Sequence, residues 1–247
     1  MHPYTGLADT FKCNLYLNTK LELSLPRETV LTLFESLQKS FPTLTDLDRR
    51  DDGEITVEED REQSAYRWIR LSPRRLAAGC VNPQSHEFAQ DFHTRILEIA
   101  PYHLGLSGLD TDILDITWTF ELDYTGNHDD LVAEAIGRQT AFESMLTIPN
   151  SKIVSFEPWA TIALDDECRL QFRVSIETRT TGYQIRTGRF PDAPISVHCT
   201  LRQFWSKQGS RRFLDAYHSQ TSQLHELVDQ HVIPQIVRPL QQAIASR

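Results

Sequence analysis

Glycine is scarce in this chain, at 10 of 247 residues. A phosphate-binding loop or a dinucleotide fingerprint needs several glycines so that backbone can approach phosphate closely, and neither motif is present. Cysteine is equally sparse. Cys13, Cys80, Cys168 and Cys199 lie far apart with no CxxC pair, which excludes a zinc ribbon or a redox dithiol. Three of these fall on the apolar side of strand-like segments, where a thiol acts as a small hydrophobe. Reduced cysteines of this kind point to a cytoplasmic protein. No apolar run approaches the roughly 18 to 20 residues of a membrane span, and "MHPYTGLADTFK" lacks the basic flank and apolar core of a signal peptide. No membrane partner is expected. Positive charge is in deficit as well, with 25 Lys and Arg against 34 Asp and Glu and a formal charge of −9. Such a chain repels phosphate backbones unless its cations gather on one face, so nucleic acid is disfavoured.

Catalytic and metal signatures are missing too. His86 and His93 are seven residues apart, as are His218 and His225. On a helix that spacing is about 10.5 Å of rise, too long for two ligands of one zinc. "LGLSGLD" at 104–110 brings its second glycine one position early for a nucleophile elbow, and it leads into a strand instead of following one. The first strand carries "KLELSL", with Glu22 alone where a triphosphate tunnel would show alternating glutamates and a lysine. No cofactor and no metal are expected.

What the chain does have is alternation. In "DILDITWTFELDYTG", Leu114, Ile116, Trp118, Phe120, Leu122 and Tyr124 share one side of a strand, and Asp115, Thr117, Thr119, Glu121 and Asp123 share the other. "FKCNLYLNTKLELSL" alternates in the same way, and "PRETVLTLFESLQKSF" then places Val30, Leu33, Phe34, Leu37 and Phe41 at helical spacing. Three short strands are expected over 46–82, followed by a helix whose stripe is Phe88, Phe92, Ile96 and Ile99. A second round follows: strand 112–124, helix 129–146, and strands in "KIVSFEPWATIAL", "CRLQFRVSIETRT", "TGYQIRTG" and "PISVHCTLRQFWS". A long terminal helix begins near Ser210, with Pro234 and Pro239 set to kink or split it.

Each half therefore reads strand, helix, strands, helix, and Phe34-Glu35-Ser36 in one matches Phe142-Glu143-Ser144 in the other. This predicts an internally duplicated α+β fold, with repeats at 1–106 and 107–247 and a curved antiparallel sheet carrying helices on one face. In element order it resembles the saddle-shaped fold of the TATA-binding protein. That resemblance bears on shape and transfers no residue.

One face of such a sheet stays open, and the functional candidates lie mostly there. Thr119 and Glu121 are expected to be accessible. Glu121 and Asp123 sit two apart, about 7 Å between Cα atoms, a spacing suited to metal or acid/base work. Arg169, Arg173, His198 and Arg202 belong to the same face. Arg211 and Arg212 follow a potential N-cap, Ser210, where positive charge opposes the helix dipole and an anion would relieve it. The leading expectation is a non-enzymatic binding or assembly module whose open face or terminal helix engages another protein or a second copy. The alternative is an enzyme or sensor for a phosphorylated small molecule, using these arginines with Glu121 and Asp123. The two differ on one point: the alternative requires the charges to converge in one concavity.

Overall fold

The structure, a computed structural model, describes residues 2–51, 53–138, 140–205 and 212–247. Nine strands form one antiparallel sheet: β1 (Thr10–Thr19), β2 (Asp46–Arg49), β3 (Ile55–Glu58), β4 (Tyr66–Ser72), β5 (Arg75–Val81), β6 (Thr111–Tyr124), β7 (Trp159–Ala163), β8 (Leu170–Glu177) and β9 (Ala193–Phe204). Their spatial order is β2-β3-β4-β5-β1-β6-β9-β8-β7. The first strand of each half thus lies at the centre, and the last strand of each half lies beside it.

Period-two alternation decides which way the sheet faces. Phe11, Leu15 and Leu17 on β1, Leu114, Trp118 and Phe120 on β6, and Val197 and Leu201 on β9 are all buried on one side. The main helices supply matching stripes: α1 (Arg27–Gln38) with Val30, Leu33, Phe34 and Leu37, and α2 (His86–Leu104) with Phe92, Ile96 and Ala100. Ser85 caps α2 by accepting a hydrogen bond from the Phe88 N–H at 3.2 Å, and Gly105 ends it at φ 65°. Only glycine adopts that φ without strain.

After the later helices α3 (His128–Val132), α4 (Glu143–Leu146) and α5 (Gly182–Thr187), the terminal stretch runs as α6 (Phe213–Leu227), a π-helical segment Val228–Val237 and α7 (Arg238–Ala245). Pro234 falls inside the π segment and Pro239 at the start of α7, so the two prolines subdivide the helix as their missing N–H groups require. Tyr217, Leu224, Val228, Val237 and Leu240 are buried in the chain's own core. Among the described residues no large apolar side chain of this stretch is exposed. The apolar stripe of the terminal stretch is therefore used within the monomer.

Several local expectations are corrected. "TGYQIRTG" is not a strand but α5. Thr181 and Gln184 form a reciprocal capping box and Gly188 closes the helix at φ 66°, and these local bonds outweigh the short alternation. The helix expected over 129–146 is broken. It comprises α3, a π turn at Ala133–Gly137 and α4, because the chain becomes extended at Arg138. The tripeptide match consequently joins unlike positions, since Phe34 is buried in α1 whereas Phe142 is 57% exposed at the head of α4. The stretch 152–164 is a strand only from Trp159, and the 46–82 region carries a fourth short strand, β2.

Candidate functional site

The polar face can be built row by row from the strand register. One row crosses Trp68, Gly79, Asn14, Thr117, Thr200, Arg173 and Thr161. The next runs through Arg70, Ala77, Tyr16, Asp115, Arg202 and Gln171. A third holds Lys12, Thr119, His198, Ser175 and Trp159. Because these positions are the off-core half of each strand, side chains remote in sequence become neighbours at the strand spacing of about 4.8 Å.

Across the centre and second half of the sheet this face forms a concavity of about 330 Å³, lined by Tyr16, Arg75, Asp115, Thr117, Thr161, Gln171, Arg173, Ser175, His198, Thr200 and Arg202. That volume is at the lower end for small-molecule sites. At its floor Arg202 clamps Asp115 side-on, Nε to Oδ1 at 2.9 Å and Nη2 to Oδ2 at 2.8 Å. This pair raises the Arg202 pKa, while the Asp115 side chain is only 8% exposed. Thr117 and Thr200 share a hydrogen bond at 2.9 Å. Burial holds the Tyr16 phenol above its ordinary value, although Arg75 and Arg70 pull the other way. The Arg75 guanidinium lies 5.5 Å from the Tyr16 ring and donates from Nε to Asn18 Oδ1 at 2.7 Å. The Arg173 guanidinium lies 5.5 Å from the ring of Trp159. Among the described residues neither Arg75 nor Arg173 forms an ion pair, so both are cations without a counter-charge.

A second concavity, of about 280 Å³, occupies the first half of the same face, and its charges are balanced. Lys12 meets Glu121 at 2.6 Å, Arg61 meets Glu58 at 2.6 Å, and Arg70 meets Glu54 at 3.1 Å. Gly79 is required here. A Cβ on it would come within 2.6 Å of the Trp68 ring, which lies across β5 at this point.

Arg173, His198 and Arg202 converge in the first concavity. Glu121 does not line it, being tied to Lys12, and Asp123 is exposed near the rim of the sheet, where its backbone N–H donates to Asp9 at 2.8 Å. Burial and the nearby Asp9 raise the Asp123 pKa. Neither carboxylate lines the concavity that holds Arg173 and Arg202, so the structure does not bring Glu121 and Asp123 together with them. Arg169 is paired with Glu167 at 2.8 Å in an exposed turn. Arg212 occupies the N-cap of α6, which begins at Phe213 rather than near Ser210; Arg211 and Ser210 lie outside the described residues. Thr119, expected to be accessible, is 3% exposed because Lys12 and His198 flank it in its row.

His198 bonds on both ring nitrogens, Nδ1 to Thr119 Oγ1 and Nε2 to Glu177 Oε2, each at 3.0 Å. An imidazole engaged at both nitrogens positions its neighbours and has no lone pair or proton directed at a ligand. Arg75, Asp115 and Thr161 were missed in the sequence-level selection. Asp115 could be placed by parity between the buried Leu114 and Ile116, but β7 is exposed throughout and β5 is buried after Arg75, and the convergence of all three depends on sheet order.

No protein-family description matches the chain, and no curated protein does. Among solved structures it shows a loose likeness to the crystal structure of A. aeolicus tRNASec in complex with M. kandleri SerRS: 14% identity over 96% of this chain and 31% of that one, with a TM-score of 0.31. A likeness at that level carries no argument about function.

Proposed function

We propose that the protein is a binding module that holds a small anionic ligand, of the phosphorylated small-molecule class, on the open face of its sheet. The observation that carries this is the pair Arg75 and Arg173, which among the described residues have no carboxylate partner and which flank a concavity otherwise lined by hydroxyl and amide groups, His198 and the mutually paired Asp115 and Arg202. Every cation of the neighbouring concavity is matched by a carboxylate. In a chain of net charge −9, two unmatched guanidinium groups above a neutralised floor make a local positive field that favours an anion. The hydroxyls of Thr117, Thr161, Ser175 and Thr200 supply further donors at the same place. Duplication of a strand–helix–strands–helix unit, with halves at 1–106 and 107–247, accounts for the mirrored strand order and belongs to the same proposal.

The binding reading is preferred to catalysis because His198, the one histidine lining the concavity, already uses both ring nitrogens. Thermal denaturation of the full chain with inorganic phosphate, pyrophosphate, a sugar phosphate and uncharged sugar controls tests the proposal. A ligand at about 100 times its dissociation constant stabilises by about 2.7 kcal/mol. Phosphorylated compounds should raise the midpoint at low salt, and Arg173→Ala should abolish the rise. No shift with any phosphorylated compound, or an equal shift in Arg173→Ala, would contradict it.

A further inference from the structure

The outer strand of the second half, β7, ends the sheet with nothing laid on it. All five of its side chains are exposed, including Trp159 at 67% and Ile162 at 56%. Its sequence, WATIA, carries no charge. The opposite edge, β2, is just as exposed but reads DLDR, and charges on an edge deter pairing with another chain. β7 has no such guard, and its register with β8 is regular throughout.

Its backbone polarity can be read directly. The Leu164 N–H donates to Leu170 O at 2.8 Å, and Pro158 O accepts from the Ile176 N–H at 3.1 Å. Even-numbered residues therefore turn their N–H and C=O groups toward β8. By the alternation of an antiparallel ladder, Trp159, Thr161 and Ala163 turn theirs outward. Among the described residues no hydrogen bond reaches those outward groups.

We infer that this edge pairs with the same edge of a second copy, antiparallel across a two-fold axis at Thr161. That register sets Trp159 opposite Ala163 of the partner subunit, Thr161 opposite Thr161 of the partner subunit, and Ala160 opposite Ile162 of the partner subunit. All three outward residues then exchange N–H···O=C bonds in both directions. A shift by two residues would leave one of the three unpaired on each strand. The centred register also fits by size, since each large side chain meets an alanine. Trp159 covers the partner's Ala163 on the polar face, and Ile162 covers the partner's Ala160 on the helix face. It is this self-complementarity that favours a second copy over a foreign strand, and two-fold closure makes the pairing finite.

The pairing bears on the concavity without depending on what it binds. Thr161 lines that concavity and Trp159 stacks with its Arg173. Joining the edges would place the two concavities side by side on one continuous sheet, with the partner's Ala163 at the outer rim.

Light scattering of the full chain across the micromolar range should give twice the 28.5 kDa of one chain. Thr161→Pro removes an outward N–H that β8 does not use, and Ala163→Arg puts a charge where Trp159 of the other copy must pack; each should return the mass to one chain. Because proline carries some risk to folding, circular dichroism accompanies both variants, and Ala163→Arg alone suffices if Thr161→Pro is unfolded. In a Cys168→Ser background, Thr161→Cys should form an intermolecular disulfide on oxidation, and Ala160→Cys, which faces Ile162, should not. A mass of one chain at every concentration, larger open-ended species, a dimer that survives Ala163→Arg, or cross-linking at 160 in place of 161 would each overturn the inference.

Discussion

Replacing Arg202 by alanine removes the clamp on a carboxylate that water barely reaches. Asp115 is 8% exposed at its side chain and is held by two charge-assisted hydrogen bonds at 2.8 and 2.9 Å. Removing one member of a fully buried pair costs about 3–5 kcal/mol, most of it from the charge left behind. Here the Arg202 side chain is 41% exposed, so water would enter where the guanidinium was and screen the carboxylate. The expected loss is therefore about 2 kcal/mol. For a chain of this length that is about 4–8 °C in the unfolding midpoint. Asp115→Asn should cost less, since the amide oxygen still accepts one bond from Arg202. The double variant should cost less than the two singles together, with a coupling of roughly 1–2 kcal/mol. Urea denaturation of the four proteins measures this directly. If the single losses add to within about 0.3 kcal/mol, the pair does not act as a unit and the description of the concavity floor is wrong.

Other consequences follow from the same geometry. Gly79→Ala should destabilise by about 1–3 kcal/mol, because a Cβ there would overlap the Trp68 ring and force it off β5; urea unfolding reads the loss. His93 is buried with Nδ1 3.1 Å from the Tyr217 hydroxyl, and burial pushes its pKa down from 6.5 to about 3. The unfolded chain takes up this proton below about pH 6.5 and the folded chain does not. Stability is thus complete above pH 6.5 and falls toward pH 3, by about 2 kcal/mol on reaching pH 5. His86 and His128, also lowered by burial, bend the curve the same way. A His93→Gln variant should show a flatter fall in stability between pH 6.5 and 5, and an unchanged slope would refute the assignment. Glu121→Gln should leave anion binding intact, because Glu121 pairs with Lys12 outside the concavity.

Much of this architecture is legible in the residues alone. Alternation in β1, β6 and β9 identifies both the buried face and the open one, because a strand covered on one side must alternate. The broken helix at 128–146 is harder to read, since Gly137 and the extended Arg138 interrupt an otherwise helical pattern whose first turn Asn127 caps well. The α5 segment was legible in principle: Thr181 with Gln184 three residues on is a capping box, but two apolar residues at alternate positions read equally as strand. The site itself was only half visible. Arg173 and Arg202 could be placed on the open face by parity, yet Arg75 joins them only because β5, β1, β6, β9 and β8 are consecutive in the sheet. Strand order is a property of long-range packing, and no local pattern in β5 specifies its distance from β8.

The central claim is that two unmatched guanidinium groups create an anion site, and calorimetric titration of pyrophosphate into the full chain at low salt tests it most directly. Hydrogen bonds to a charged group contribute about 1.5–3 kcal/mol each, so losing Arg75 and Arg173 together should weaken binding by at least about 100-fold. The account predicts saturable binding to the unmodified chain, loss of measurable binding in the Arg75→Ala, Arg173→Ala double variant, and retention in Arg61→Ala, which alters only the balanced concavity. Absence of saturable binding to the unmodified chain, or equal losses in the double variant and in Arg61→Ala, would contradict it.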